Sequence, residues 1–95
     1  MSASVTVVAR IHPDPAKITD AAAAVRAAVA GIRAEAGCER YDPHLADDGT
    51  VLIVERWTSR EALAAHNVGA PVQVLRDGVK GLMASPPDVT IAVAL

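Results

Sequence analysis

The side chains of this 95-residue chain best suited to chemistry are three histidines, one tryptophan, one tyrosine and one cysteine. His12, His44 and His66 show no His-x-x-x-His spacing, and Cys38 has no Cys-x-x-Cys partner, so no metal site is expected. Neither a Gly-rich phosphate loop nor a nucleophile elbow is present, and no cofactor-binding motif is recognisable. No cofactor is therefore expected, and a substrate would have to bring its own reactivity.

Acid–base and hydrogen-bonding work remain open to these residues. Imidazole titrates at about pH 6.5, which makes His66 a candidate base. Trp57 offers an indole N–H and a wide apolar wall, and Tyr41 a phenolic hydroxyl. Each also has a structural reading: His66 as a partly exposed residue capping the end of its helix, Trp57 as an anchor between strand and helix, Tyr41 as a rim or interface residue. Arg56 or Arg40 could pair with an anion, although strand arginines are commonly solvated or bonded to neighbours such as Glu55. Cys38 reads as a small buried residue, and His12 and His44, beside prolines, as surface positions.

Composition narrows the classes. Hydrophobic residues make up 52% and charged residues 21%, as in one folded domain spanning 1–95 rather than a disordered chain. A net charge of −2 with no basic cluster, and only two aromatics, argue against a nucleic-acid partner. Apolar runs are far shorter than the ~20 residues of a membrane span. The opening MSASVTVV lacks the pattern of a secretory signal, and one cysteine cannot form an internal disulfide, so a cytoplasmic location is expected.

The elements that would position these residues follow one another plainly. Ser4–His12 is a Val-rich strand candidate stopped by His12-Pro13-Asp14-Pro15. Asp14 and Pro15 suit the start of a helix. Its apolar stripe is Ile18, Ala21, Ala22, Val25, Val29, Ile32 and Ala36, and it ends at Gly37. Cys38–Ala46, carrying Pro43, suits an edge strand. Asp47-Asp48-Gly49 is a turn, and Thr50–Trp57 is the clearest strand. Thr58 and Glu61 fit a capping box ahead of a helix at Ser59–Asn67. A helix at Pro71–Met83 follows, containing Gly78 and Gly81 as either a kink or a close backbone approach. Ser85-Pro86-Pro87 ends it, and Asp88–Ala94 is the last strand.

This order, β-α-β-β-α-β with a divided second helix, predicts an α+β fold. A four-stranded antiparallel sheet carries its helices on one face. Val8, Leu52 and Val54 make the other face apolar too, and one helical layer cannot cover both. A homodimer through the open sheet face is expected, burying ~1,200–2,000 Å² or more.

Two stretches carry a resemblance. Ala36-Gly37-Cys38-Glu39-Arg40-Tyr41-Asp42 and the run from Glu55-Arg56-Trp57 to His66 resemble the antibiotic biosynthesis monooxygenase family, whose pattern is Gly-Cys-x-x-Tyr followed by Glu-x-Trp-x-Ser-x-Glu-Ala-Leu-x-x-His. The resemblance covers essentially the whole chain. It implies a ferredoxin-like dimeric α/β barrel and cofactor-independent monooxygenation of a small aromatic quinol, anthrone or polyketide-like ring by dioxygen. On that reading His66, Trp57 and Tyr41 are catalytic, and Arg56, Ile53 and Leu63 hold the substrate. A non-catalytic small-molecule binding module, or an isomerase using the same pocket, is the alternative. Glu39, where the family commonly has an apolar residue, and the absence of Phe depart from the pattern.

Overall fold

The structure is a computed structural model describing residues 3–95; Met1 and Ser2, at the start of the segment read for a secretory signal, lie outside the described residues. Strand β1 (Val5–Pro13) is followed by a 3-10 turn at Pro15–Lys17, whose first N–H groups are met by Asp14: its carboxylate accepts from the Ala16 N–H at 2.8 Å. Helix α1 (Ile18–Arg33) leads to strand β2 (Cys38–Leu45) and strand β3 (Val51–Trp57). Helices α2 (Arg60–Asn67) and α3 (Ala70–Val79) precede the last strand, β4 (Met83–Ala92). The strands pair antiparallel in the order β2-β3-β1-β4, so the fold is the expected α+β, ferredoxin-like one, as β-α-β-β-α-α-β. Among the described residues no helix is long and apolar enough to cross a membrane.

Alternation along the strands decides what faces the helices. Val5, Val7, Ile11, Val51, Ile53 and Trp57 are buried beneath the helical layer, and Tyr41 joins them from β2. Helix α1 answers with Ala21, Val25, Ala28 and Ile32. The expected stripe holds at Ala21, Val25 and Ile32, while Ile18, Ala22 and Val29 are half-buried. Ala36 is exposed because the helix stops at Arg33, before the turn that reaches Gly37. Gly37 sits at φ 83°, and a Cβ there would lie 2.6 Å from the Ala62 Cβ. Only glycine lets this turn pass so close to α2.

Three further boundaries differ from the sequence expectation. The cap of α2 is Ser59, whose hydroxyl accepts from the Ala62 N–H at 3.1 Å, and not Thr58. The Thr58 N–H is already bonded to the Gly37 carbonyl at 2.9 Å, which holds the chain extended for one more residue. Helix α3 ends at Val79 rather than Met83, where Gly81 at φ 80° turns the chain. Gly81 therefore lies outside the helix; Gly78 lies within it, and a Cβ there would come to 3.0 Å from the Ala24 Cβ, so close helix approach accounts for it. Strand β4 begins at Met83, not Asp88, and carries Pro86 and Pro87 inside it. Pairing with β1 shifts register around them, between Arg10 and His12 and again between His12 and Pro13. Prolines donate no ladder hydrogen bond, so an edge strand accommodates them as an irregularity and continues.

The opposite face of the sheet displays Thr6, Val8, Arg10, Leu52, Val54 and Arg56. Val8 and Val54 stand directly across from each other, half-buried, at the centre of this face.

Candidate active site

Strand β3 sends Glu55 and Trp57 to the helix side two residues apart, as its alternation requires. Glu55 is 4% exposed and pairs in register with Tyr41 on β2 and Val7 on β1. The indole Nε1–H of Trp57 donates to Glu55 Oε1 at 3.0 Å. From α2, His66 comes down over the tryptophan, with ring centroids 4.4 Å apart and planes inclined by 31°. The Tyr41 ring lies 6.0 Å from His66. His66 Nδ1 is 2.8 Å from Glu35 Oε1, in the turn after α1, while Nε2 is 3.9 Å from Glu55 Oε1. The histidine is thus held between two carboxylates and is itself buried.

Beside this cluster lies a cavity of about 460 Å³ between the sheet and α2–α3. Its walls are mainly apolar, including Val7, Ile53, Leu63 and Leu75, with Glu55 and Tyr41 in the lining. Low polarity governs their protonation. Burial pushes the Glu55 carboxyl above the ordinary glutamate value, against the opposing pulls of the Trp57 N–H and of His66. Burial, and then the charge of Glu55, drives the Tyr41 hydroxyl far up as well, so it stays a hydrogen-bond donor. Cys38 is half-buried at the start of β2 and its thiol is also pushed up, first by burial, which suits a packing residue rather than a nucleophile.

Among the residues singled out from sequence, His66, Trp57 and Tyr41 converge, and Ile53 and Leu63 line the cavity. His66 and Trp57 lie behind Glu55 rather than in the cavity wall. Arg56 is a correction: alternation turns it to the opposite face, exposed, with Nε 3.4 Å from Glu39 Oε1. Arg40 is likewise outside the cavity and pairs with Asp42. His12 is bonded to Asp88 at 2.6 Å and His44 is exposed, both away from the cluster. Glu55, which opens the Glu-x-Trp run without being given a site role from sequence, and Glu35, which lies outside both motif stretches, are the functional candidates that sequence reasoning misses. For Glu55 the available signal is parity, since a carboxylate between the inward Ile53 and Trp57 must itself point inward.

Residues 4–77 match the antibiotic biosynthesis monooxygenase family. The chain belongs to the antibiotic biosynthesis monooxygenase family. It is similar to Rv0793 of Mycobacterium tuberculosis, which its name classes provisionally as a monooxygenase. The two are 34% identical over 96 residues, covering 100% of this chain and 95% of that one. The solved structure of Rv0793 superposes with a TM-score of 0.89 over 98% of this chain and 96% of that one. PA3566 of Pseudomonas aeruginosa is 29% identical, with a TM-score of 0.89 over 100% of this chain and 97% of that one. A family structure from Caulobacter crescentus, at 22% identity and a TM-score of 0.90, covers 99% of this chain and 92% of that one and shares the fold.

Proposed function

We propose that the protein is a cofactor-independent monooxygenase that oxidises a small aromatic quinol, anthrone or polyketide-like ring with dioxygen, and that Glu55 is its base. One observation carries the reading: a buried carboxylate of raised pKa in the wall of an apolar cavity large enough for a fused ring system. An anthrone-type substrate has an acidic C–H beside an electron-rich ring. Glu55 removes that proton, and the carbanion passes one electron to dioxygen. Recombination forms the C–O bond, and the proton on Glu55 returns to the distal oxygen, giving a hydroperoxide. Loss of the second C–H proton breaks the O–O bond and releases water, leaving a quinone carbonyl. Substrate plus O2 gives product plus H2O, with no external reductant.

The other residues act around that carboxylate. Tyr41, its cross-strand neighbour, can donate to the developing oxyanion. Trp57 and His66 are positioning residues: the indole N–H fixes one carboxylate oxygen and the imidazole, anchored by Glu35, covers it from behind. This moves the role of base from His66 to Glu55. The test is oxygen uptake by purified protein across a panel of hydroquinones and anthrones, with product analysis. Uptake above the spontaneous rate that is lost in Glu55→Gln supports the reading. No uptake across the panel overturns oxygenation, and conversion of a substrate without uptake identifies an isomerase.

We propose also that the working form is a homodimer through the sheet face centred on Val8, Leu52 and Val54. Arg10, Arg40 and Arg56 stand around that apolar strip, the pattern of an apolar interface core with a polar rim. A single mass of one chain by light scattering at micromolar concentration overturns it.

A further inference from the structure

The mouth of the cavity differs in charge from its floor. Glu55 is the one acidic residue among the described lining residues, and it lies deep. At the exposed end the lining includes Arg76 and Lys80, four residues apart at the end of α3. Arg76 is braced across the opening: its Nη1 donates to the Asn67 carbonyl at 3.0 Å, tying α3 to the end of α2. Among the described residues neither Arg76 nor Lys80 forms an ion pair. The nearby Asp77 accepts a hydrogen bond from Gln73 at 2.9 Å and does not line the cavity. A third cation, Lys17, donates to the carbonyl of Gly81, another lining residue, at 3.1 Å.

The helix dipole favours one cation at the C-terminal end of α3. Lys80 stands one residue past the helix yet lines the same cavity as Arg76, so two like charges meet at one opening. We propose that Arg76 and Lys80 form an anion clamp, so that the ligand of this cavity is an aromatic acid. Its apolar ring system lies against Ile53 and Leu75, and a carboxylate or similarly charged group faces the mouth. A ligand so oriented puts its uncharged end toward Glu55, where a second anion would be repelled. The inference rests on the cavity being the substrate chamber, as proposed above, and adds which substrates it selects.

Two fluorescent probes separate charge from shape. 8-Anilinonaphthalene-1-sulfonate and N-phenyl-1-naphthylamine share one skeleton and differ by the sulfonate. The clamp predicts that the sulfonate binds several-fold to about 10-fold more tightly than the neutral probe at low salt, from two charge-assisted contacts that solvent at the mouth partly screens. The exposed pair Arg76→Gln/Lys80→Gln should remove most of that preference while changing the neutral probe by less than about twofold. Ala9→Phe, which fills the cavity from β1, should weaken both probes, with folding of each variant checked by circular dichroism. Equal binding of the two probes overturns the clamp, as does a double variant that keeps the preference. Sulfonate binding untouched by Ala9→Phe places the probe elsewhere and also overturns it. Because the readout is binding, the clamp can stand while the oxygen-uptake panel fails, and can fail while that panel succeeds.

Discussion

Replacing Glu55 by glutamine removes a charge and little else. The amide has the same shape, its oxygen can still accept the Trp57 indole N–H now held at 3.0 Å, and the surrounding packing is unchanged. At 4% exposure no solvent base can take the carboxylate's place beside the substrate. A positioned general base contributes ~10²–10⁴-fold to a rate, or ~2.7–5.5 kcal/mol of barrier, and the variant should lose that much of kcat. In the parent protein, kcat/KM should fall on the acid side as Glu55 takes up its proton, with the inflection above the ordinary value of 4.5 because burial raises it. The variant should lack that inflection. Stability carries the opposite signature. The folded state binds this proton more tightly than the unfolded chain does, so stability is greatest below 4.5 and declines as pH rises through the raised folded value. Glutamine has no such decline, and at neutral pH Glu55→Gln should be no less stable than the parent. Initial oxygen uptake against pH, with calorimetry of both proteins, measures each effect. A variant within about threefold of the parent rate and retaining the acid inflection refutes the role given to Glu55.

Other substitutions probe the supports. Trp57→Phe deletes the hydrogen bond that opposes the upward shift of Glu55, so the acid inflection should move to higher pH. The lost bond to a charged group should cost about 1.5–3 kcal/mol, read as a lower Tm. His66→Ala leaves Glu35 and Glu55 without their shared partner and should cost about 3 kcal/mol, roughly 12–24 °C in Tm for a domain of this size. Gly37→Ala forces a side chain into left-handed backbone and onto Ala62, and should destabilise by more than about 1 kcal/mol in denaturant titration. Arg56→Gln, on the far face, should leave ligand affinity unchanged and stability within about 0.5 kcal/mol.

Much of the scaffold can be read from period and punctuation. Alternation puts Val5 and Val7, and Val51, Ile53 and Trp57, on one face of their strands. With Val8, Leu52 and Val54 making the other face apolar as well, only the structure shows which face lies under the helices. The same parity sets Glu55 inward and Arg56 outward, so it separates the two residues better than their charges do. The pairing of His66 with Glu35 is hidden for a different reason. It joins residues 31 apart through a turn whose path is set by how Gly37 passes α2, which local pattern does not encode. The cap at Ser59 is hidden by a bond from the Thr58 N–H to a distant carbonyl. Pro86 and Pro87 look like a terminator in sequence; only the position of β4 at the sheet edge makes a strand that runs through them intelligible.

Those two prolines have a counterpart in Pro43, and together they lie on the two outermost strands, β2 and β4. Prolines on an edge turn the side without an N–H outward. Each margin is therefore a broken template for a newcomer strand, and stacking of molecule upon molecule into fibrils is discouraged from both sides. Concentrated stocks should remain clear, with growth blocked at the rims of the ribbon.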